Sequence, residues 1–223
     1  MVTRHEFLAQ LHAQLQPRGY LEIGVLFGDS LHLAKCPAIG IDPEPHLRYH
    51  QPSSLIYRGT SDEFFAANEP EWIQDRISYI DLAFIDGMHL FEFALRDFQN
   101  VERYSNPRTV IVFDDVLPRN QEEAAREQCP GDWTGDVWKV HVALTRLRPD
   151  LNIHLVNTDP TGTMVVWGLD NEHRWDQKLL RAMEHDSLNK TVPVPDDVLQ
   201  RRHAVTPEWA LEQVALYLKG LDA

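Results

Sequence analysis

The chain has 223 residues, with 34 acidic side chains against 21 basic ones and a net charge of -13 at neutral pH. That length suits one sizeable α/β core, and the negative surplus repels phosphate backbones and anionic lipid, so neither nucleic acid nor a membrane is an expected partner. Cys36 and Cys129 are too few for a disulfide framework or a zinc set, and residues 1–15 lack a basic stretch followed by an apolar run; a cytoplasmic protein is expected.

In chain order, Phe7, Leu8, Leu11 and Leu15 recur at helical spacing until Pro17-Arg18-Gly19 ends the pattern, predicting an N-terminal helix within residues 1–19. Short apolar runs follow at Tyr20–Val25, Ala38–Ile41, Leu55–Tyr57, Asp81–Ile85 and Thr109–Phe113, the signature of buried parallel strands. Among the intervening helical stretches the clearest is Phe91–Tyr104, with Phe91, Leu95, Phe98 and Val101 on one face and Glu92, Arg96 and Asp97 on the other. Strands alternating with helices predict a parallel sheet covered on both faces.

Pro118–Val137 is a long polar stretch expected to act as a mobile lid over a ligand. Trp133 and Trp138 are candidates to cover a substrate ring, and Arg119 to hold an anionic group; core packing is the alternative for the tryptophans. After a helix near Lys139–Leu147, the runs Asn152–Asn157 and Thr163–Leu169 flank the turn residues Asp159-Pro160-Thr161-Gly162, predicting an antiparallel hairpin. Beyond Asn171 come a helix to about Leu188, a Pro-rich link at Val192–Pro195 and a closing helix, Glu208–Leu221. One domain over residues 1–223 is expected, with a core at 20–170 and a helical extension at 171–223. The Trp175, Leu179, Leu180 and Met183 face would pack on that core or on a second copy in a homo-oligomer.

Candidate chemistry gathers at the strand ends. Glu22-Ile23-Gly24 through Gly28-Asp29-Ser30 forms a glycine-bearing turn, in which Ser30 is placed to cap the next helix. The spacing is not that of a dinucleotide site, and Glu22 would repel a pyrophosphate, so a cationic ligand such as S-adenosylmethionine suits the turn better. Asp42, at the end of the second strand, is spaced as an acid that accepts ribose hydroxyls, and Ser61-Asp62 after the third strand would flank an adenine ring. The plain alternative makes Gly24 and Gly28 a tight turn and Asp42 a surface cap.

From Tyr20 to about Leu169 the chain resembles the class I S-adenosylmethionine-dependent methyltransferases, with Glu22–Ser30 matching their first motif and Asp42 their ribose-binding acid. Phe84-Ile85-Asp86-Gly87-Met88-His89 and Val112-Phe113-Asp114-Asp115 resemble the metal-dependent O-methyltransferases, both the catechol-type enzymes and the macrocin-type sugar methyltransferases of bacterial natural-product pathways. The resemblance implies a Rossmann-like fold, a mainly parallel seven-stranded sheet ending in an antiparallel hairpin with flanking helices. Where the macrocin-type enzymes carry a further acid, this chain has Met88.

Asp86 and the Asp114-Asp115 pair end neighbouring strands, so three carboxylates are expected to converge at one crevice beside the cofactor. Unneutralised, they would raise one another's pKa, which makes a hard divalent cation, Mg²⁺ or Mn²⁺, the natural partner. Asp114 could instead point away, because alternate strand residues face opposite sides. His89 stands where the catechol-type enzymes have a catalytic lysine; it and Asp86 are the catalytic candidates, His89 as general base or as a metal or substrate ligand.

The expected function is metal-dependent O-methylation of a small molecule, a sugar or phenolic secondary metabolite, at the expense of S-adenosylmethionine. The alternatives are a metal-independent N- or O-methyltransferase, a nucleotide-sugar glycosyltransferase using Phe113-Asp114-Asp115-Val116 for its metal, and a non-catalytic cofactor-binding module.

Overall fold

Period-two alternation along the strands divides the apolar core into two layers. Leu21 and Ile23, Ile39 and Ile41, Ala83 and Ile85, and Ile111 and Phe113 face one side of the sheet. Tyr20, Ala38, Leu82, Phe84, Val110 and Val112 face the other. The computed structural model describes residues 1–49, 53–68, 70–190 and 192–222.

The strands are β1 (Tyr20–Ile23), β2 (Ala38–Asp42), β3 (Ser54–Arg58), β4 (Leu82–Ile85), β5 (Val110–Phe113), β6 (Asn152–Val156) and β7 (Thr163–Trp167). They form one seven-stranded sheet in the order β3-β2-β1-β4-β5-β7-β6. β1 to β5 run parallel, whereas β7 lies antiparallel between β5 and β6. The expected Rossmann-like sheet with its terminal hairpin is therefore present. The order reverses between β1 and β4, which opens a crevice at their carboxyl ends.

The helices are α1 (Arg4–Leu15), α2 (Ser61–Ala67), α3 (Pro70–Ile77), α4 (Phe91–Arg103), α5 (Trp138–Leu147), α6 (Gln177–Asn189), α7 (Asp196–Leu199) and α8 (Pro207–Leu221). Capping sets several starts: Thr3 and Glu6 form a capping box on α1, Thr60 and Glu63 another on α2, and Thr206 caps α8 just before Pro207. α1 packs against α8, and with Phe7, Leu8 and Leu11 it covers the Tyr20-Phe84-Val112 face of the sheet. Among the described residues, no helix is long and apolar enough to cross a membrane.

Three local expectations change. Only a short 3-10 turn, Leu31–Leu33, follows the glycine turn, and the Ser30 side chain makes no capping bond to it. α6 begins at Gln177, because the Asp176 carboxylate accepts from the amides of Lys178 and Leu179. On α4, Glu92 and Asp97 are buried rather than solvated, since Arg126 pairs with Glu92 and α2 packs against the helix with Ser61 bonded to Asp97.

Candidate active site

β1 ends where Gly24 adopts a φ of +87°, and a Cβ there would lie 1.8 Å from the Asp86 carbonyl oxygen. This contact, with Gly24 N–H donating to Ile41 and Asp86 N–H donating to Ile23, draws the ends of β1, β2 and β4 together. Beside them opens a cavity of ≈ 220 Å³ whose lining includes Gly24, Asp42, Ser61, Asp62, Gly87 and Asp97. The Asp42 carboxylate accepts from the backbone N–H groups of Leu26 (2.8 Å) and Glu44 (2.7 Å), and so ties the glycine turn to the end of β2. Asp62 is paired with Arg96 at 3.0 Å.

Half of the expected cofactor residues thus line this cavity directly, and Asp86 stands in the adjoining one. Three require correction. Alternation along β1 turns Glu22 toward α1 and away from the cavity, where it is fully buried and receives bonds from the Tyr20 and Ser30 hydroxyls at 2.7 Å each. Burial pushes its carboxyl up to about 8, against the pull of those two bonds. A carboxyl shifted up in this way and turned from the cavity is a poor partner for a cationic ligand. Ser30 serves Glu22, and Gly28 turns against Leu47; neither is part of the lining.

The second centre lies at the ends of β4 and β5. Asp86, His89 and Asp115 each present a ligand atom within 4.8 Å of the others. His89 Nε2 is 3.2 Å from Asp86 and Nδ1 is 3.1 Å from Asp115, while Nδ1 also lies 2.9 Å from the Trp133 carbonyl. Both His89 and Asp115 take positive φ values, +56° and +61°, conformations that cost non-glycine residues about 1–3 kcal/mol and persist where their surroundings enforce them. Trp133 stacks on the imidazole at 5.4 Å between ring centres, and Thr161 Oγ1 donates to Asp115 at 2.5 Å. A further cavity of ≈ 10 Å³, room for an ion or a water, lies between Asp86, Asp97, Asp114 and Asp115 and shares Gly87, Met88 and Asp97 with the larger one.

Electrostatics alter two expected roles. Burial alone would lower the His89 pKa, but its bond to Asp86 and the charges of Asp115 and Asp86 outweigh that and raise it to about 10. Ligating a metal requires the neutral ring, so a cation bound here would have to displace the proton that the two carboxylates favour. Asp114 supplies no atom to the three-residue cluster, but it borders the same small cavity, and Arg4 of α1 pairs with its Oδ2. Its Oδ1 is buried without a partner, and burial, with Asp115 and Asp86 nearby, raises its pKa well above the usual range. Burial, with Asp86, also pushes Asp115 up to about 6. Two oxygen donors, an imidazole and an orphaned carboxylate oxygen behind them form a donor set that fits a divalent cation.

The expected substrate residues fare unevenly. Trp133 is at the centre, though spent on His89 and on a 2.6 Å bond from Nε1 to the Ala125 carbonyl. Trp138 is packed in the core at 4 % exposure and lines neither of these two cavities. Arg119 is engaged by Glu123 and Asp132 at 2.6 and 2.9 Å. The segment 118–137 is tied to the rest of the site by ion pairs and one close backbone contact. Arg126 pairs with Glu92 and Asp136, Asp136 accepts from the Phe91 amide, and Gly135, with a φ of +55°, sits where a Cβ would strike the His89 carbonyl at 1.7 Å.

Sequence reasoning missed Asp97, Thr161 and Arg4. Asp97, 3 % exposed and bonded by Ser61, is pushed up to about 7 by burial. Phe93 and Asp97, four residues apart on α4, both line the cavity, so that helix has a third flank facing the ligand edge. Thr161 and Arg4 gave no local signal, because their partners are 46 and 110 residues away.

Residues 21–116 match the family model described as "Methyltransferase domain". No curated protein sequence matches the chain. Among solved structures, the O-methyltransferase TomG from Streptomyces achromogenes, involved in tomaymycin synthesis and in complex with SAM, is 18 % identical with a TM-score of 0.54, over 75 % of this chain and 80 % of that one. SAH-bound methyltransferase PaMTH1 from Podospora anserina is 14 % identical with a TM-score of 0.53, over 76 % and 80 %. The O-methyltransferase from Bacillus cereus in complex with SAH is 15 % identical with a TM-score of 0.51, over 74 % and 80 %. At these identities the likeness is one of fold.

Fold and family match point the same way: residues 21–116 are similar to a methyltransferase domain, and the sheet has the fold seen in S-adenosylmethionine-bound O-methyltransferases among solved structures. The matched segment runs from β1 through the Asp114-Asp115 pair, so it includes Gly24, Asp42, Asp86 and His89 but neither Arg4 nor Trp133.

Proposed function

We propose that the whole chain acts as one catalytic domain that transfers the methyl group of S-adenosylmethionine to a hydroxyl of a small molecule, a sugar or a phenol, with a divalent cation held at Asp86, His89 and Asp115. The observation that carries this reading is the adjacency of the two centres: the Gly24-Asp42 cavity shares Gly87, Met88 and Asp97 with the small acidic one. A cofactor in the first cavity would present its methyl group toward an acceptor at the second. Asp42 would take the ribose hydroxyls, and Ser61 and Asp62 would flank the adenine.

A bound divalent cation would lower the pKa of an acceptor hydroxyl and fix its direction of approach. Imidazole among the donors favours Mn²⁺ more than an all-oxygen set would, with Mg²⁺ as the other candidate. Asp86 and Asp115 hold the charge of the site, Thr161 orients Asp115, and the Trp133 ring covers one face of the His89 imidazole. The test is S-adenosylhomocysteine release from the purified protein offered a panel of sugars and phenols, with and without Mg²⁺ or Mn²⁺. Release that depends on both acceptor and metal is expected; release unaffected by EDTA would leave a metal-independent methyltransferase, and none with any acceptor would leave a cofactor-binding module.

A further inference from the structure

The acidic cluster already has a cation supplied by the protein. Arg4, the first residue of α1, crosses to the end of β5 and pairs with Asp114, a carboxylate only 2 % exposed whose other oxygen has no partner. Asp86 and Asp115 also act on the guanidinium. We propose that Arg4 is a resident counter-ion on the Asp114 side of the cluster and competes with a divalent cation for Asp114. This rests on the metal-assisted reading above and adds a residue outside the matched methyltransferase segment.

Three observations carry it. Arginine stays protonated at any physiological pH, so the guanidinium does not leave by losing its charge, and a metal cation arriving at Asp114 has to displace it. The Arg4 side chain is 30 % exposed, which leaves the guanidinium a path to solvent when displaced, whereas Asp114 at 1 % has none. Finally, the arm that carries Arg4 and the ligand Asp115 are held by one turn. Arg4 N–H donates to the Asp159 carbonyl, Asp159 N–H donates to Val2, and two residues later Thr161 holds Asp115. A cation that drew Asp114 and Asp115 toward Asp86 would thus act on the same turn that anchors the N-terminal arm.

The experiment is Mn²⁺ binding to the intact purified protein, read as the loss of free-Mn²⁺ paramagnetic resonance signal, for wild type, Arg4→Met, Asp114→Asn and the double variant. Removing the competitor should tighten Mn²⁺ binding roughly tenfold in the Arg4→Met protein, and that gain should vanish in the Asp114→Asn background. Arg4→Lys keeps the charge without the planar fork; it should tighten binding by less, and serves if Arg4→Met fails to fold. Equal affinity of wild type and the Arg4 variants would overturn the competition while leaving the metal site standing. A gain that survived in the Asp114→Asn background would overturn it too, as a nonspecific charge effect. No Mn²⁺ binding by any variant would overturn the inference and the metal reading together.

Discussion

Gly24 and Asp86 meet backbone to backbone: any side chain at position 24 would overlap the Asp86 carbonyl, with the Cβ only 1.8 Å from that oxygen. This glycine therefore serves both centres, because it bends the chain beside the Gly24-Asp42 cavity and sets the depth of Asp86. Gly24→Ala is expected to cost on the order of 3 kcal/mol, from a positive φ plus a forced backbone shift. Its melting curve should fall together with both cofactor and Mn²⁺ affinity. A variant with wild-type stability and affinity would show that the close approach is not needed.

Asp42 and Asp115 should separate binding from turnover. Asp42→Ala removes the acceptor of two backbone N–H groups and the proposed ribose partner, so S-adenosylmethionine affinity by calorimetry is expected to fall about ten- to a hundredfold. Asp115→Ala leaves that cavity intact and should bind cofactor within about twofold of wild type while turnover is lost. Equal behaviour of the two variants would contradict the division into two centres.

Chelation tests the acidic cluster as a whole. After EDTA treatment, methyl transfer is expected to stop and S-adenosylmethionine binding to continue, with Mn²⁺ restoring activity at lower concentration than Mg²⁺. Restoration by Mg²⁺ alone would argue that His89 is not among the ligands.

Glu22 makes stability pH-dependent in a direction opposite to that of an ordinary paired carboxylate. Its carboxyl is raised from 4.5 to about 8 in the folded chain, so between those values the folded state binds more protons than the unfolded one. Its contribution is present at low pH and lost progressively as pH rises toward 8. Glu22→Gln keeps the shape without the ionisation, and should narrow the drop in melting temperature between pH 6 and pH 9. The expected difference is on the order of 2 kcal/mol at pH 9. An unchanged drop would mean that Glu22 ionises freely.

Tryptophan 133 offers a test of the site wall. Trp133→Phe keeps a ring for His89 but loses the bond to the Ala125 carbonyl, whereas Trp133→Ala loses both. Turnover should fall modestly in the first and by roughly a hundredfold in the second, with cofactor binding preserved in both. Equal turnover by the two variants would remove the stacking from the account.

Local sequence determined the order of strands and helices, the terminal hairpin, the glycine turn and the strand-end acids, because each depends on short-range periodicity or on the chemistry of a few adjacent residues. Gly24, Asp42, Asp86 and Asp115 stand at the strand ends where that periodicity puts them. Tertiary structure decided which way those acids face and what neutralises them. Glu22 and Asp114 differ from Asp42 and Asp115 in environment rather than in residue class: one is capped by Tyr20 and Ser30, the other met by an arginine 110 positions away. Charge in a folded chain is set by burial and by partners brought close in space, and no window along the sequence contains them.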